Sequence, residues 1–211
     1  MTNTADDHKF DRGLSSFDVR HVWSLNGTYE LPFGPGKSVG SGLTGFAGKL
    51  VGGWQLSSIA TLQTGPSVNL RLGFERSQNA KLINFSERPD LIPGGNNNPV
   101  VGDGRDPLRY YDTSQFLLPD AGYFGNLGRA TLIGPGVATL DLSFAKSTLV
   151  NERVTVQFRA EAFNALNRAN FSGPNSTVFT SPTPIPSATA GRITNVTTTA
   201  RQIQFALKVL F

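Results

Sequence analysis

The feature that most constrains this chain is an alternation of apolar and polar side chains with a period of two residues. The alternation predicts β-strands, because successive side chains of a strand point to opposite faces. Residues 19–31, for example, carry Trp23, Leu25 and Tyr29 on one face and mostly polar side chains on the other. Five strands are predicted, within residues 19–31, 53–72, 137–149, 153–163 and 201–211. The second contains Gly65-Pro66, where we expect a bulge or an edge-like end because Pro cannot donate to the ladder.

Composition supports β structure and excludes several other classes. Charged residues make up only 16% of the 211 residues, whereas about 25% is usual in soluble domains. The 23 Gly and 13 Pro residues predict many turns and few long helices. The absence of cysteine excludes disulfides and cysteine-based zinc sites. The net charge of +4 is spread along the chain, so we expect no nucleic-acid binding.

The connections between the predicted strands differ greatly in length. Residues 73–136 and 164–200 are long and rich in turn-forming residues, whereas residues 150–152 form a tight turn. Loops this long are uncommon inside a compact soluble domain. Transmembrane barrels combine long external loops with short periplasmic turns, and their strands need about 9–11 residues. We therefore interpret the chain as all-β, an antiparallel meander of five long strands from a bacterial outer-membrane barrel.

This interpretation divides the chain into external loops and membrane-spanning strands. If the last strand ends in the periplasm, the turn at 150–152 and the Gly-rich link at 32–52 both lie on the periplasmic side. The link is longer than a usual periplasmic turn. The expected organisation is a loop end at 1–18, two strands within 19–72, an external loop at 73–136, a hairpin at 137–163, an external loop at 164–200 and a terminal strand at 201–211.

Five strands are too few for a complete transmembrane barrel, since the smallest contain about eight. Unpaired strand edges are not tolerated in lipid. Residues 1–7 are polar and lack the basic and apolar regions of a signal peptide. We therefore expect the chain to be part of a longer outer-membrane protein. The alternative that remains open is a soluble β-sandwich for carbohydrate binding or adhesion, in which the apolar strand faces would be buried.

Two sets of side chains are candidates for functional positions. The first set shares the polar phase of the fourth predicted strand and is expected to line the barrel lumen: Arg153, Gln157, Arg159 and Glu161. The second set comprises aromatic residues expected at the membrane–water interfaces: Trp23, Tyr29, Trp54 and Phe205. Charges that line a channel account for the first set better than acid–base catalysis does. No catalytic set or metal-ligand spacing is visible, so we expect neither enzymatic activity nor a cofactor.

The C-terminal residues resemble the assembly signal of outer-membrane barrels. That signal places a polar residue, a Gly and alternating hydrophobic residues before a terminal aromatic residue. Gln204, Val209 and Phe211 fit this pattern, while Ala206 stands where a Gly is usual. The resemblance implies that the barrel-assembly machinery is a partner and that it recognises these residues.

Segments spread over nearly the whole chain resemble the Oar-like group of TonB-dependent receptors. They are DRG at 11–13, FDVRH at 17–21, YELPFG at 29–34, GWQLS at 53–57, RPDL at 88–91, FGNLGR at 124–129, GPG at 134–136, QFRAEAFN at 157–164 and RQIQF at 201–205. The resemblance implies the last part of a barrel of about 22 strands. It also implies uptake of a small substrate, with outer-membrane lipid, the rest of the barrel and its plug, and through the plug TonB, as partners.

Overall fold

The computed structural model describes residues 12–78 and 87–211 and consists mainly of β-strands. The strands are β1 (Val22–Glu30), β2 (Trp54–Gln63), β3 (Ser67–Val68), β4 (Arg71–Leu72), β5 (Asp90–Leu91), β6 (Phe116–Leu117), β7 (Leu132–Ile133), β8 (Val137–Asn151), β9 (Val154–Phe163), β10 (Thr177–Phe179) and β11 (Gln202–Leu210). A helix, α1, spans Gly45–Val51, and a 3₁₀ turn spans Thr113–Gln115. The expected loop residues 1–11 and 79–86 lie outside the described residues.

Five long strands form one sheet in the order β1-β2-β8-β9-β11. Neighbouring strands run antiparallel. In the β1–β2 pair, the Leu31 N–H donates to the Trp54 carbonyl at one end and the Thr64 N–H to the His21 carbonyl at the other. The predicted meander of five strands is therefore confirmed. The described residues do not close the sheet into a barrel, and the side chains of the outer strands β1 and β11 are exposed on both faces.

The register of the sheet brings the apolar phases of the strands to one side. Ala160 of β9 lies opposite both Phe144 of β8 and Phe205 of β11. Trp54 of β2 stacks on Phe144 with ring centroids 4.6 Å apart, so β2 presents its apolar phase on this side too. We call this side the apolar face and the opposite side the polar face. The apolar face comprises the odd residues 23–29 and 203–209 and the even residues 54–62, 138–144 and 154–162.

The second strand of the sheet is shorter than the sequence predicted. β2 ends at Gln63, and the residues that follow leave the sheet to form β3, which pairs with β7, and β4, which pairs in parallel with β10. The cause lies at Gly65-Pro66. A Cβ at Gly65 would collide with the carbonyl oxygen of Gly134, and Pro66 has no N–H to donate. The backbone therefore packs closely against Gly134 instead of continuing the ladder of the sheet.

The long connections contain a packed core, which the sequence analysis did not foresee. The described parts of Met1–His21, Gln63–Val137 and Asn170–Thr197 form one compact unit, which we call the loop unit. Its core consists of Leu70, Leu72, Tyr110, Tyr111, Phe116, Leu127, Leu132, Val178, Phe179, Ala190 and Ile193. Three short strand pairs, β3–β7, β4–β10 and β5–β6, also belong to it. The rest of the chain, Val22–Leu62, Ala138–Ala169 and Thr198–Phe211, forms the sheet unit.

The strands of the sheet have long connections at one edge and short ones at the other. At what we call the turn edge, the link at 32–52 joins β1 to β2 and a tight turn joins β8 to β9. At the opposite edge, which we call the loop edge, β1, β8 and β11 begin and β2 and β9 end. The chain continues from each of these strand ends into the loop unit within a few residues. Long and short connections thus alternate along the chain, as the sequence predicted.

The link between β1 and β2 contains the helix α1, which gave no clear signal in the sequence. The link folds back on itself and brings its two ends close together. A Cβ at Gly34 would lie only 2.5 Å from the Cα of Gly52. Gly34 also has a φ of +109°, which an L side chain rarely adopts. The unusual length of this link therefore accommodates a compact turn and helix. No helix among residues 12–78 and 87–211 is long and apolar enough to cross a membrane.

Candidate functional site

The polar face of the sheet presents three of the four side chains that the sequence suggested for a lumen wall. Gln157, Arg159 and Glu161 lie in β9 on the polar phase. The residues aligned across β8, β9 and β11 are Ser143–Glu161–Gln204, Ala145–Arg159–Ala206 and Ser147–Gln157–Lys208. Small or polar neighbours thus flank each functional candidate on both sides. The sheet brings these groups together because the polar phases of three strands coincide in register.

Arg159 and Glu161 form an ion pair in the middle of this surface. Nη1 of Arg159 lies 3.6 Å from Oε1 of Glu161, and the same oxygen accepts a hydrogen bond of 3.4 Å from Ser143 Oγ. The Arg159 side chain is nearly half exposed. Exposed ion pairs typically contribute about 0–1 kcal/mol to stability. The pair therefore does little to hold the sheet together, and its polar atoms remain accessible to water or to a passing solute.

Arg153 does not belong to the row of polar side chains on β9. The alternation predicted Arg153 at the start of that strand, but β9 begins at Val154 and Arg153 lies in the preceding turn. The Asn151 side chain closes this turn, because its Oδ1 accepts hydrogen bonds from the N–H groups of Arg153 and Val154 at 3.0 and 2.9 Å. Arg153 is therefore an exposed residue of the turn edge.

The candidate interfacial aromatic residues all lie on the apolar face, but at different heights along the strands. Trp23 and Tyr29 lie near opposite ends of β1, and Trp54 is the first residue of β2. Phe205 lies further inside its strand and stacks on Phe158, with ring centroids 6.2 Å apart. The first three positions fit rings at the two interfaces. Phe205 fits the interior of the apolar band better than its rim.

The apolar face is exposed, although it is the more hydrophobic side of the sheet. Leu25 of β1 is 74% exposed and Leu207 of β11 is 70% exposed. A soluble sandwich would bury such side chains between two packed sheets. A contiguous exposed apolar surface of this kind indicates contact with lipid or with another protein. The structure therefore favours a membrane-facing sheet over the soluble sandwich.

The residues of the C-terminal pattern lie on and beyond the outer strand β11. Gln204 lies opposite Glu161 on the polar face, and Val209 lies opposite Val156 on the apolar face. β11 ends at Leu210, and the following Phe211 is fully exposed. These positions are accessible, as residues that a second protein reads must be.

Asn164, which no sequence pattern indicated, follows β9 at the loop edge. Asn164 is buried and has a positive φ of 48°, a conformation that Asn tolerates better than most residues. Its Nδ2 donates to the carbonyls of Arg168 and Thr199 at 2.9 and 3.0 Å. Its own N–H donates to Oδ1 of Asp141 at 2.8 Å. A single side chain and its backbone thus join the loop-edge ends of β8, β9 and the segment before β11.

Lys146 was not among the candidates from the sequence either, although its positive charge interrupts the row of apolar side chains along β8. Its Nζ donates to the carbonyls of Lys49 and Gly52 at 2.8 and 2.5 Å. The same atom lies 4.8 Å from the centroid of the Trp54 ring. A charged residue on an otherwise apolar phase is a signal that could have been read from the sequence, since long cationic side chains reach towards a membrane interface.

The loop unit carries an open cleft of about 330 Å³ with charged groups in its wall. Nη2 of Arg109 lies 2.9 Å from Oδ1 of Asp112 in this wall. Burial alone would raise the pKa of Asp112, but hydrogen bonds from Ser114 and Arg109 hold it below its ordinary value. Burial raises the pKa of the neighbouring Tyr110 to about 12, and its hydroxyl donates to the Ile133 carbonyl at 2.8 Å. Tyr110 belongs to the buried core, so the chain next to Arg109 in the cleft wall is anchored in the loop unit.

No metal centre was found in the described part of the chain. Within residues 12–78 and 87–211, no three His, Asp or Glu side chains lie close enough together to hold a metal ion.

An open antiparallel sheet with one exposed apolar face and one polar face defines a segment of a transmembrane β-barrel. Residues 1–204 match the family described as the outer membrane beta barrel domain. The chain belongs to this family and is an outer-membrane β-barrel protein. The match ends at Gln204 and does not include Val209 and Phe211. The role of these two residues in assembly rests on their resemblance to the assembly signal. No curated protein and no solved structure matches the chain.

Proposed function

We propose that this chain is the C-terminal barrel segment of a TonB-dependent receptor that takes up a small substrate across the outer membrane. The loop unit is the observation that carries the proposal, because two segments that are far apart in the chain, 63–137 and 170–197, contribute side chains to one buried core. Binding sites are precise when a rigid scaffold holds their side chains. A folded loop unit suits recognition of a specific substrate better than mobile loops would. The ordered resemblance to Oar-like receptors supports the same proposal.

In this proposal the substrate binds first to the external loops and then passes along the polar face. The cleft wall with Arg109 and Asp112 offers a charged first contact. Arg159 and Glu161 offer hydrogen-bonding groups in a water-filled lumen, which is the usual interior of such barrels. The plug and TonB supply gating and energy. The residues of this chain contribute binding and passage, and no covalent step is assigned to them.

The orientation of the barrel can be tested with trypsin on cells that produce the full-length protein. Arg105 is exposed in the loop unit, and Arg153 is exposed in the turn edge. We expect trypsin to cut at Arg105 in intact cells and at Arg153 only after the outer membrane is permeabilised. An Arg105→Gln variant should lose the first cut and serves as the control. Cleavage at Arg153 in intact cells, with Arg105 protected, would reverse the orientation.

Energised transport can be tested by removing the gene that encodes the full-length protein. Parent and deletion strains would be grown in a defined mixture of small molecules, and the depletion of each molecule from the medium would be measured. We expect at least one molecule to be taken up by the parent only, and its uptake to stop when the proton-motive force is dissipated. Uptake that depends on the gene but continues without the proton-motive force would indicate passive diffusion and contradict the role of TonB.

A further inference from the structure

We propose that α1 is an interfacial helix that inserts Phe46 and Leu50 into the phospholipid leaflet at the turn edge of the barrel. The inference goes beyond substrate uptake and rests on the proposed function in assigning the apolar face to lipid and the turn edge to the periplasmic side. It concerns the part of the link at 32–52 that a simple periplasmic turn does not need.

The exposed side chains of α1 are the first observation. Phe46 is 82% exposed and Leu50 is 57% exposed. They are four residues apart, so they lie on the same side of the helix. Gly48 is the only residue of α1 that is fully buried. A helix of seven residues is too short to be stable through its own hydrogen bonds, so a contact that covers Phe46 and Leu50 would contribute to its stability.

The attachment of α1 to the sheet is the second observation. Two side chains on the apolar phase contact the helix: Lys146 Nζ donates to the carbonyls of Lys49 and Gly52, and Trp54 Nε1 donates to the carbonyl of Leu50 at 3.2 Å. Lys49 Nζ in turn donates to the Val150 carbonyl of β8 at 3.1 Å. A cation at the C-terminal end of a helix also interacts favourably with the helix dipole. The C-terminal end of α1 is therefore held beside the apolar face, next to the surface that meets lipid.

The identity of the attaching residues sets the level of α1 in the membrane. Trp and Lys side chains concentrate at the membrane–water interface, where the apolar part of the side chain meets acyl chains and the polar part meets headgroups. Trp54 and Lys146 therefore mark this interface at the turn edge. A helix bound to them lies at the depth that amphipathic surface helices occupy, about 5–10 Å into the boundary between headgroups and acyl chains. Phospholipid is the partner that fits this position.

A fluorescence experiment tests the proposal directly. These 211 residues contain no cysteine, so single labels can be placed in them once any cysteine elsewhere in the full-length protein has been replaced by Ala. The full-length protein would be reconstituted in phospholipid vesicles with an environment-sensitive dye at Phe46→Cys or Leu50→Cys. The matched control is Ser38→Cys, an exposed position of the same link. Leu142→Cys, on the apolar face of β8, reports the lipid contact of the barrel itself. Quenching by brominated acyl chains and by aqueous iodide would be measured for each label.

We expect brominated lipid to quench the labels at 46, 50 and 142 severalfold more than the label at 38, and iodide to show the reverse order. Iodide quenching at 46 and 50 as strong as at 38 would place the helix in water and overturn the proposal. Shielding of 46 and 50 from both quenchers would indicate a protein partner and would also overturn it. If the label at 142 also avoids brominated lipid, the barrel function fails as well, and the two failures are thereby distinguished.

Discussion

The assignment of one face of the sheet to lipid can be tested at two adjacent residues of β8. Leu142 lies on the apolar face opposite Ala162, and Ser143 lies on the polar face opposite Glu161. Replacing each in turn by Arg introduces the same charged side chain. The two variants differ mainly in the side of the sheet that receives the guanidinium group, so each serves as the control for the other.

The position of Lys146 allows the magnitude to be worked out. Leu142 precedes it by four positions, or about 14 Å along a strand that rises about 3.4 Å per residue. For a strand tilted by about 40°, this is about 10 Å along the membrane normal. Since Lys146 marks the interface, Leu142 lies near the middle of an apolar band about 25 Å tall. Arg at that depth costs about 2–4 kcal/mol, falling to about 0–1 kcal/mol near the interfaces.

Ser143→Arg should cost much less, because its charge enters a polar environment beside Glu161. The free energy of unfolding of the full-length protein would be measured in lipid vesicles by denaturant titration, with the mobility of unboiled protein on SDS gels as a second measure of folding. Equal losses for both variants would mean that both faces are buried, as in a soluble core. A larger loss for Ser143→Arg would mean that the two faces have been assigned the wrong way round.

Four further predictions address the other features. Asn164→Ala should lower the free energy of unfolding by about 1–3 kcal/mol, since it removes two hydrogen bonds that typically contribute about 0.5–1.5 kcal/mol each. Asn164→Gly, which tolerates the positive φ, should lose most of that amount, and wild-type stability would contradict the role of the amide. Phe179→Ala should destabilise the loop unit by about 3–5 kcal/mol, seen as faster hydrogen exchange there than in the five-stranded sheet; uniform acceleration in both would refute a separate core. Deletion of Phe211 should abolish insertion in cells but leave refolding into vesicles nearly intact, and normal surface levels in cells would remove its assembly role. Lys146→Met should increase the iodide quenching of a dye at Phe46→Cys, and an unchanged value would show that Lys146 does not hold α1.

Alternation predicted the long strands well because the direction of each side chain in a strand depends only on its position along that strand. The fourth predicted strand, 153–163, differs from β9 by a single residue at its start. The second strand was predicted too long because Leu70 and Leu72 continue the period of β2. Both residues are buried in the core of the loop unit instead. Periodicity reports that a segment is extended, but it does not identify the strand with which it pairs.

The loop core and α1 were beyond prediction for a different reason. Residues such as Tyr111 and Phe179 are far apart in the chain and follow no helical or strand period, so only tertiary packing brings them together. α1 is held by hydrogen bonds that its backbone carbonyls and the carbonyl of Gly52 accept from the side chains of Lys146 and Trp54, which lie in other segments. The candidate site was only partly predictable: Gln157, Arg159 and Glu161 followed from phase alone, whereas the roles of Asn164 and Lys146 depend on contacts between segments.

The number of long strands in the sheet restricts how a closed barrel can be completed. β1 and β11 are the first and fifth strands of an antiparallel sheet, so they run in the same direction. Copies of this sheet placed side by side in one membrane orientation would meet as a parallel pair, which an all-antiparallel barrel does not contain. Any further strands that complete the barrel wall must therefore be odd in number, with the first and the last of them opposite in direction to β1. Any chimera that exchanges this segment with part of another barrel must obey the same counting rule.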